Sequence, residues 1–185
     1  MRVVYPVATI AATRETPAIP RPHPRSDASV RAYAPTAERY DVSTSLTAYS
    51  EILCRAWAGG ESFLNIEHDV EIGPDTVRQA TYCNKPWCVW PYYVTGHNLL
   101  TWSLGCVRFH AKLLRAEPDL MAVASSKIGN RSMPPGDWHR MDVEIMPLLR
   151  ERGYGDIAHQ HDPVIHHHHY PLEPTCSCGD AECPL

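Results

Sequence analysis

Short stretches of alternating or helically spaced apolar residues follow one another along this chain. Residues 2–10, RVVYPVATI, predict a first strand. Apolar side chains at helical spacing predict a helix over residues 46–58, which the Gly59-Gly60 pair ends. The stretch between them, residues 14–31, is rich in Pro and Arg, and we expect it to form a long loop. Strict alternation then predicts a single strand over residues 63–72.

The second half of the chain continues this alternation of strands and helices. Aromatic and β-branched residues predict strands over residues 87–94 and 99–107, with short helices at 74–82 and 108–117. The last predicted helix spans residues 137–153. Strands that alternate with helices in this way are typical of an α/β domain. We therefore predict a single-domain α/β sandwich.

Acidic side chains line the polar face of the strand predicted over residues 63–72. Glu67 and Asp69 are two residues apart, so both carboxylates are expected to project to the same side. Paired carboxylates of this kind are suited to a hard divalent cation that also binds a substrate phosphate. Asn65 and Glu71 share the same parity, so an ordinary polar strand face is the alternative.

One acidic residue of the last predicted helix falls on its apolar face. At about 100° per residue, Asp142 lies between Trp138 and Ile145 in the apolar stripe. An unpaired buried charge is costly. Such a carboxylate is therefore either a structural acid with its own partners or part of an active-site cleft. The sequence leaves both interpretations open.

Histidines are concentrated near the end of the chain, with six of the eleven in the stretch 159–169. As an extended arm, this stretch presents His166 and His168 on one face, where Val164 can anchor it. The HQH at its start offers a second pair with the same spacing. A solvated run of histidines is the alternative.

Composition and charge narrow the range of functions. The net charge of −4 and the pI near 6.2 argue against a generic nucleic-acid-binding protein, which carries a basic surplus. No apolar run approaches the roughly 18 residues of a membrane span. Seven cysteines are an odd number, and four lie in apolar or aromatic segments, which favours buried thiols in a reducing cytoplasm over a disulfide framework. These four are Cys54, Cys83, Cys88 and Cys106.

The acidic pair in mid-chain, the inward-facing Asp142 and the C-terminal histidines together resemble the glycosyltransferases of GT-A fold. The resemblance implies a single-domain, Rossmann-like α/β fold in which helices sandwich a mixed sheet. In that family, an Asp-x-Asp-type motif ends a central strand and holds a manganese or magnesium ion on the diphosphate of a nucleotide-sugar donor. Here IEHDV stands in that place, with Glu67 instead of the first Asp. The resemblance covers residues 1–170, the expected glycosyltransferase-like domain, and leaves residues 171–185 as a Cys-containing tail.

The resemblance implies a divalent cation, Mn or Mg, at the donor site. Its ligands would be Asp69 and Glu67, with His68 between them at the donor. Many members also present a C-terminal histidine to this ion, and VIHHHH offers His166 or His168 for that position. The donor would be a nucleotide-diphospho-sugar.

A carboxylate on a late helix often acts on the acceptor in this family, and GDWHRMD occupies that place. The resemblance therefore implies Asp142 or Asp137 as the general base of an inverting transfer. Arg14, Arg21 and Arg25 are candidates to bind the diphosphate or an anionic acceptor. The acceptor hydroxyl is left open among a glycan, a lipid, a protein and a modified base in DNA.

Other functions use the C-terminal residues differently. HQHD, residues 159–162, resembles the first ligand set of some zinc hydrolases. Cys176, Cys178 and Cys183, with a nearby histidine, would instead bind zinc in a zinc-stabilised binding module. A flexible tail with free thiols, and a structural protein without an active site, are the remaining alternatives.

Overall fold

Strands and helices alternate along the chain in the structure, a computed structural model that describes residues 1–7, 22–42, 45, 47–93, 100–101, 104–129, 140–155, 159–162 and 165–168. The strands are β1 Arg2–Val7, β2 Glu38–Asp41, β3 Phe63–Ile66, β4 Val70–Glu71, β5 Trp87–Val89, β6 Tyr92–Tyr93, β7 Leu100–Thr101, β8 Cys106–Phe109 and β9 His166–His167. The helices are α1 Pro24–Tyr33, α2 Ala48–Ala58, α3 Thr76–Tyr82, α4 Ala111–Ala116, α5 Leu120–Gly129 and α6 Arg140–Glu151. None of the described helices has the length and apolar character needed to cross a bilayer.

Five strands form one mixed sheet in the order β2-β1-β3-β8-β5. Strand β1 pairs in parallel with β2 and β3, and β8 runs antiparallel to both β3 and β5. The chain places β2 on one side of β1 and then crosses to place β3 on the other side. The carboxyl ends of β1 and β3 therefore border the crevice in which open α/β sheets bind their ligands.

Helices cover both faces of this sheet. Side chains alternate across it, so that Phe63 of β3 packs on one face while Leu64 packs on the other. The face of Phe63 carries α2, α4, α5 and α6, and the face of Leu64 carries α1, α3, β4 and Ile165. This confirms the predicted single-domain α/β fold with a mixed sheet sandwiched by helices. The boundary predicted at residue 170 lies outside the described residues.

The loop predicted over residues 14–31 is wrong in its second half, because α1 begins at Pro24. Proline is well suited to the first position of a helix, where its missing N–H costs nothing. An ion pair between Arg31 and Asp27, one helical turn apart, supports the same helix. Pro24 thus starts a helix, and residues 14–21 of the predicted loop lie outside the described residues.

The single strand predicted over residues 63–72 is also wrong, since a turn separates β3 from β4. The N–H of Val70 donates to the carbonyl of Glu67 across this turn, at 3.1 Å. The apolar side chains before and after the turn are nevertheless buried in the same core. The alternation of apolar and polar residues therefore continues through the turn, and the sequence pattern does not reveal the turn. These side chains are Leu64, Ile66, Val70 and Ile72.

Smaller differences follow from backbone chemistry. The strand predicted over 87–94 is interrupted after β5, where Pro91 has no N–H for a ladder. The single strand predicted over 99–107 is wrong, because β7 and β8 lie there in different sheets, and β8 begins at Cys106 and ends at Phe109, two residues beyond the predicted end. Helix α5 lacks a single apolar stripe, and the sequence pattern did not predict it.

Candidate functional site

The turn that follows β3 carries two carboxylates to the carboxyl end of the central strand of the sheet. Glu67, His68 and Asp69 form this turn, and the N–H of Glu67 donates to the carbonyl of Gly105 at 2.8 Å. Because β8 follows Gly105 directly, this bond fixes the turn to the neighbouring strand. The acidic motif therefore lies beside the crevice that strand topology predicts.

Glu67, Asp69 and His167 form a cluster in which one ligand atom of each lies within 4.8 Å of the others. The Nε2 atom of His167 is 3.7 Å from Oδ1 of Asp69, and these two side chains are only 10% and 14% exposed. Two carboxylates suit a hard cation such as Mg²⁺ or Mn²⁺, and an imidazole is a better ligand for the transition metal. The donor set therefore fits a divalent cation, with Mn²⁺ the better match.

The structure brings His167 to the carboxylates, and not His166 or His168. His166 is exposed, whereas His168 is buried and forms a 2.8 Å hydrogen bond with Glu71. The arm is held by β9 pairing with β4 and by the 2.7 Å bond from the His168 N–H to the Asp69 carbonyl.

The expected face of the arm was reversed because its anchor was misidentified. Ile165 is buried in the core, and it shares parity with His167. Val164, the anchor chosen from the sequence, lies outside the described residues.

Asp142 lies close enough to this cluster for its charge to raise the pKa of Glu67. Its Oδ1 atom accepts the N–H of Leu104 at 2.8 Å, which fixes the carboxylate relative to β8. The predicted inward-facing position of Asp142 on α6 thus places it near Glu67. Asp137, the other predicted base, lies outside the described residues.

A chain of hydrogen bonds behind the carboxylates holds Glu67 in place. The Tyr49 hydroxyl donates to Oε1 of Glu67 at 2.5 Å. Asn65 in turn donates to the Tyr49 hydroxyl at 3.1 Å and to the Leu104 carbonyl at 2.7 Å. Hydrogen bonds through Leu104, Asn65 and Tyr49 therefore link Asp142 on α6 to Glu67 after β3.

Burial and the negative charges of Asp142 and Asp69 raise the pKa of Glu67 well above its ordinary value, against the opposing hydrogen bond from Tyr49. Burial and the charge of Glu67 likewise raise the pKa of Tyr49. The charged form of Glu67 is thus disfavoured by its surroundings, and a cation at this place would favour it.

Tyr92 and Gly105, which the sequence analysis did not single out, lie beside the cluster. The ring of Tyr92 stacks on His167, with 4.6 Å between centroids. A Cβ atom at Gly105 would lie 3.2 Å from Cε1 of Tyr92 and 3.3 Å from Cγ2 of Val70. Only a glycine allows this close approach without displacement, and an isolated glycine beside a strand is the sequence signal for it.

Of the other predicted residues, His68 lies beside Asp69, Arg25 pairs with a carboxylate outside the cluster, and the rest lie outside the described residues. His68 is buried, with Nε2 3.8 Å from Oδ2 of Asp69. Arg25 forms a 3.0 Å ion pair with Glu71. The predicted residues outside the described part of the chain are Arg14, Arg21, Cys176, Cys178 and Cys183.

The HQHD stretch does not join the carboxylate cluster. His161 is the only residue of this stretch that falls in a metal-ligand group among the described residues, and its neighbours there are Cys83 and Cys88. His159 and Asp162 are exposed.

Comparison with known proteins gives similarity in structure alone. No family model matches the sequence, and a search of curated proteins gives no match. The solved structure of A197 from STIV is similar at a TM-score of 0.49 and 11% identity, covering 92% of this chain and 86% of that one. A glycosyltransferase involved in the glycosylation of the major capsid of PBCV-1 is similar at a TM-score of 0.46 and 13% identity, covering 88% and 83%. These likenesses concern the arrangement of sheet and helices, and we draw no conclusion about chemistry from them.

The raised pKa of Glu67 predicts a stability effect of definite sign in metal-free protein. The folded chain holds the Glu67 proton more tightly than the unfolded chain, so this residue's contribution to stability falls as pH rises above the ordinary Glu value of 4.5. Each unit of raised pKa is equivalent to about 1.4 kcal/mol. In the presence of a chelator, Glu67→Gln should therefore have a higher melting temperature than the parent at neutral pH. At pH 4 the two proteins should have the same melting temperature.

The matched control is Glu71→Gln, for which the sign is opposite. Burial raises the Glu71 pKa, but the His168 hydrogen bond and the Arg25 charge outweigh burial and lower it. This variant should melt below the parent at neutral pH. Thermal unfolding curves of both variants across this pH range measure the difference, and equal destabilisation of both at neutral pH would contradict the assignment.

Proposed function

We propose that this chain is a metal-dependent glycosyltransferase, which moves a sugar from a nucleotide-diphospho-sugar donor to a hydroxyl acceptor. The observation that carries the proposal is the convergence of Glu67, Asp69 and His167 after the central strand β3, with Asp142 close by. An acid-x-Asp turn in this place is the feature in which the sequence resembles GT-A glycosyltransferases. The fold supplies the crevice that such a reaction needs.

Glu67, Asp69 and His167 are proposed to hold Mn²⁺ or Mg²⁺, and Mn²⁺ is favoured by the imidazole. Bound there, the cation supplies positive charge that offsets the negative charge of the departing nucleotide diphosphate. The chain contributes the geometry, because the Tyr49 hydroxyl and the Gly105 carbonyl fix the side chain and the backbone of Glu67.

Asp142 is proposed as the general base that takes the proton from the acceptor hydroxyl. It lies on α6, on the side of the sheet where α2 carries Tyr49, and the Leu104 N–H orients its carboxylate. A base held by the backbone in this way keeps one orientation while the acceptor binds. Proton transfer by a positioned carboxylate contributes typically a factor of 10² to 10⁴ in rate.

Asp69→Asn removes one charge of the proposed cation site and keeps the shape of the side chain. We expect it to lose the Mn²⁺-dependent binding of nucleotide-diphospho-sugars, measured as a thermal shift over a donor panel with and without Mn²⁺. A donor at a hundred times its dissociation constant stabilises the parent by about 2.7 kcal/mol, which such a measurement resolves.

The control is Asp75→Asn, the same chemical change at an exposed aspartate paired with Arg78 on the surface. It should retain the full Mn²⁺-dependent shift. Donor binding by Asp69→Asn that equals the parent's in Mn²⁺ would place the cation site elsewhere.

Asp142→Asn keeps the oxygen that accepts the Leu104 N–H and removes the base. Sugar transfer should fall by a factor of about 10² or more, with Mn²⁺-dependent donor binding nearly unchanged. Rate assays with the donor found in the panel check this, next to Glu151→Gln, an exposed acid on the same helix that should transfer sugar normally. Normal turnover per folded molecule in Asp142→Asn would make it a structural acid.

A further inference from the structure

Cys83, Cys88 and His161 form a second group of metal-ligand side chains, which shares no residue with the carboxylate cluster. One donor atom of each lies within 4.8 Å of the others. Cys83 caps the C-terminus of α3, Cys88 lies in the middle of β5, and His161 comes from the arm. Three separate parts of the chain therefore bring two thiols and an imidazole close together.

Backbone hydrogen bonds hold His161 beside Cys88. The N–H of Val89 donates to the His159 carbonyl at 3.0 Å, and the N–H of His161 donates to the Val89 carbonyl at 2.9 Å. These bonds make the arm a short parallel extension of the sheet at β5. The His161 ring stacks on Trp90, with 4.5 Å between centroids, which fixes its plane.

The Nε2 atom of His161 is buried and has no hydrogen-bond partner among the described residues. Buried polar atoms are nearly always paired, so this atom requires an explanation. An unpaired ring nitrogen is the atom through which an imidazole binds a metal ion.

The two cysteines have the spacing and surroundings of zinc ligands. Four residues separate Cys83 from Cys88, within the usual range for a pair of zinc cysteines. Both are free thiols in the structure.

We propose that Cys83, Cys88 and His161 bind a zinc ion in a structural site that fastens the arm to α3 and β5. A surface cavity of about 360 Å³ adjoins Cys83 and His161, and His159 lines it as well. The ring centroid of His159 lies 4.4 Å from that of His161, and a rotation of this exposed side chain would bring it to the fourth position of a tetrahedral site.

Fastening His161 also fixes the part of the arm that carries His167. His167 follows His161 by six residues, and the pairing of β9 with β4 holds it in the carboxylate cluster. The zinc would hold the start of the arm against α3 and β5, while His167 near its end lies in the carboxylate cluster. The inference goes beyond the proposed function, since it stands whether or not the chain transfers sugars.

Cobalt substitution tests this site directly. The untagged chain, purified under reducing conditions without a metal column, should contain zinc at about one ion per chain. Replacement by Co²⁺ should give the thiolate-to-cobalt charge-transfer band and the visible bands of a tetrahedral site. Because the band requires thiolates, the run of histidines at 166–169 cannot produce it.

The variants Cys83→Ser, Cys88→Ser and His161→Ala should each lose bound zinc. Circular dichroism reports whether they fold. Cys83→His keeps a metal ligand at the more exposed cysteine, so it should retain the ion with about half the charge-transfer intensity. Cys54→Ser, which changes a half-buried thiol on α2, should leave zinc and spectrum unchanged.

Three results would overturn the proposal. In the first, the folded parent binds no cobalt with a thiolate band. In the second, the band survives in Cys83→Ser and Cys88→Ser and disappears when Cys176, Cys178 and Cys183 are replaced together by Ser, which assigns the metal to the tail. In the third, intact mass and peptide mapping without reductant show a disulfide between Cys83 and Cys88.

Discussion

The crowding of acidic side chains at the end of β3 is the constraint on which the rest of the site depends. Glu67 is next to Asp69 and Asp142 in a partly buried place, and their negative charges raise its pKa. Like charges in such a place destabilise the fold unless protons or a cation neutralise them. The hydrogen bond from Tyr49, which Asn65 supports from behind, holds Glu67 in place and offsets only part of this rise in its pKa. This repulsion supports the proposal that a cation binds between these carboxylates.

The sheet and the arm supply the two halves of this site. The carboxylates follow the central strand, beside the switch in strand order between β1 and β3 at which open α/β sheets bind their ligands. The imidazole of His167 is delivered by the arm, which joins the sheet at β5 and pairs with β4 through β9. A cation site of this design is complete only when the arm is docked, so the Cys83–Cys88–His161 group would stabilise the geometry of the carboxylate site from a distance.

Periodicity was enough to predict those parts of the site that lie within one element or one turn. The apolar residues of β3 place Glu67 and Asp69 at the end of a strand, although a turn and not the alternation of a strand brings the two carboxylates together. Asp142 follows from the apolar stripe of a single helix. Each of these depends on neighbours within a few residues, which the sequence displays directly.

The parts that depend on contacts distant in sequence were not predicted. His167 reaches the carboxylates because Ile165 anchors the arm and β9 pairs with β4 in one register. A shift of one residue reverses every side chain of an extended segment. Tyr49 and the cysteine–histidine group likewise join residues from separate parts of the chain, which no local pattern relates.

Anomalous diffraction from crystals grown with Mn²⁺ and a nucleotide-diphospho-sugar tests the central claim most directly, because manganese is located without assumptions about its ligands. We expect a manganese peak bound by a carboxylate oxygen of Glu67, a carboxylate oxygen of Asp69 and a ring nitrogen of His167. A peak bound instead by His166 or His168, or no peak beside Asp69 at saturating Mn²⁺, would contradict it.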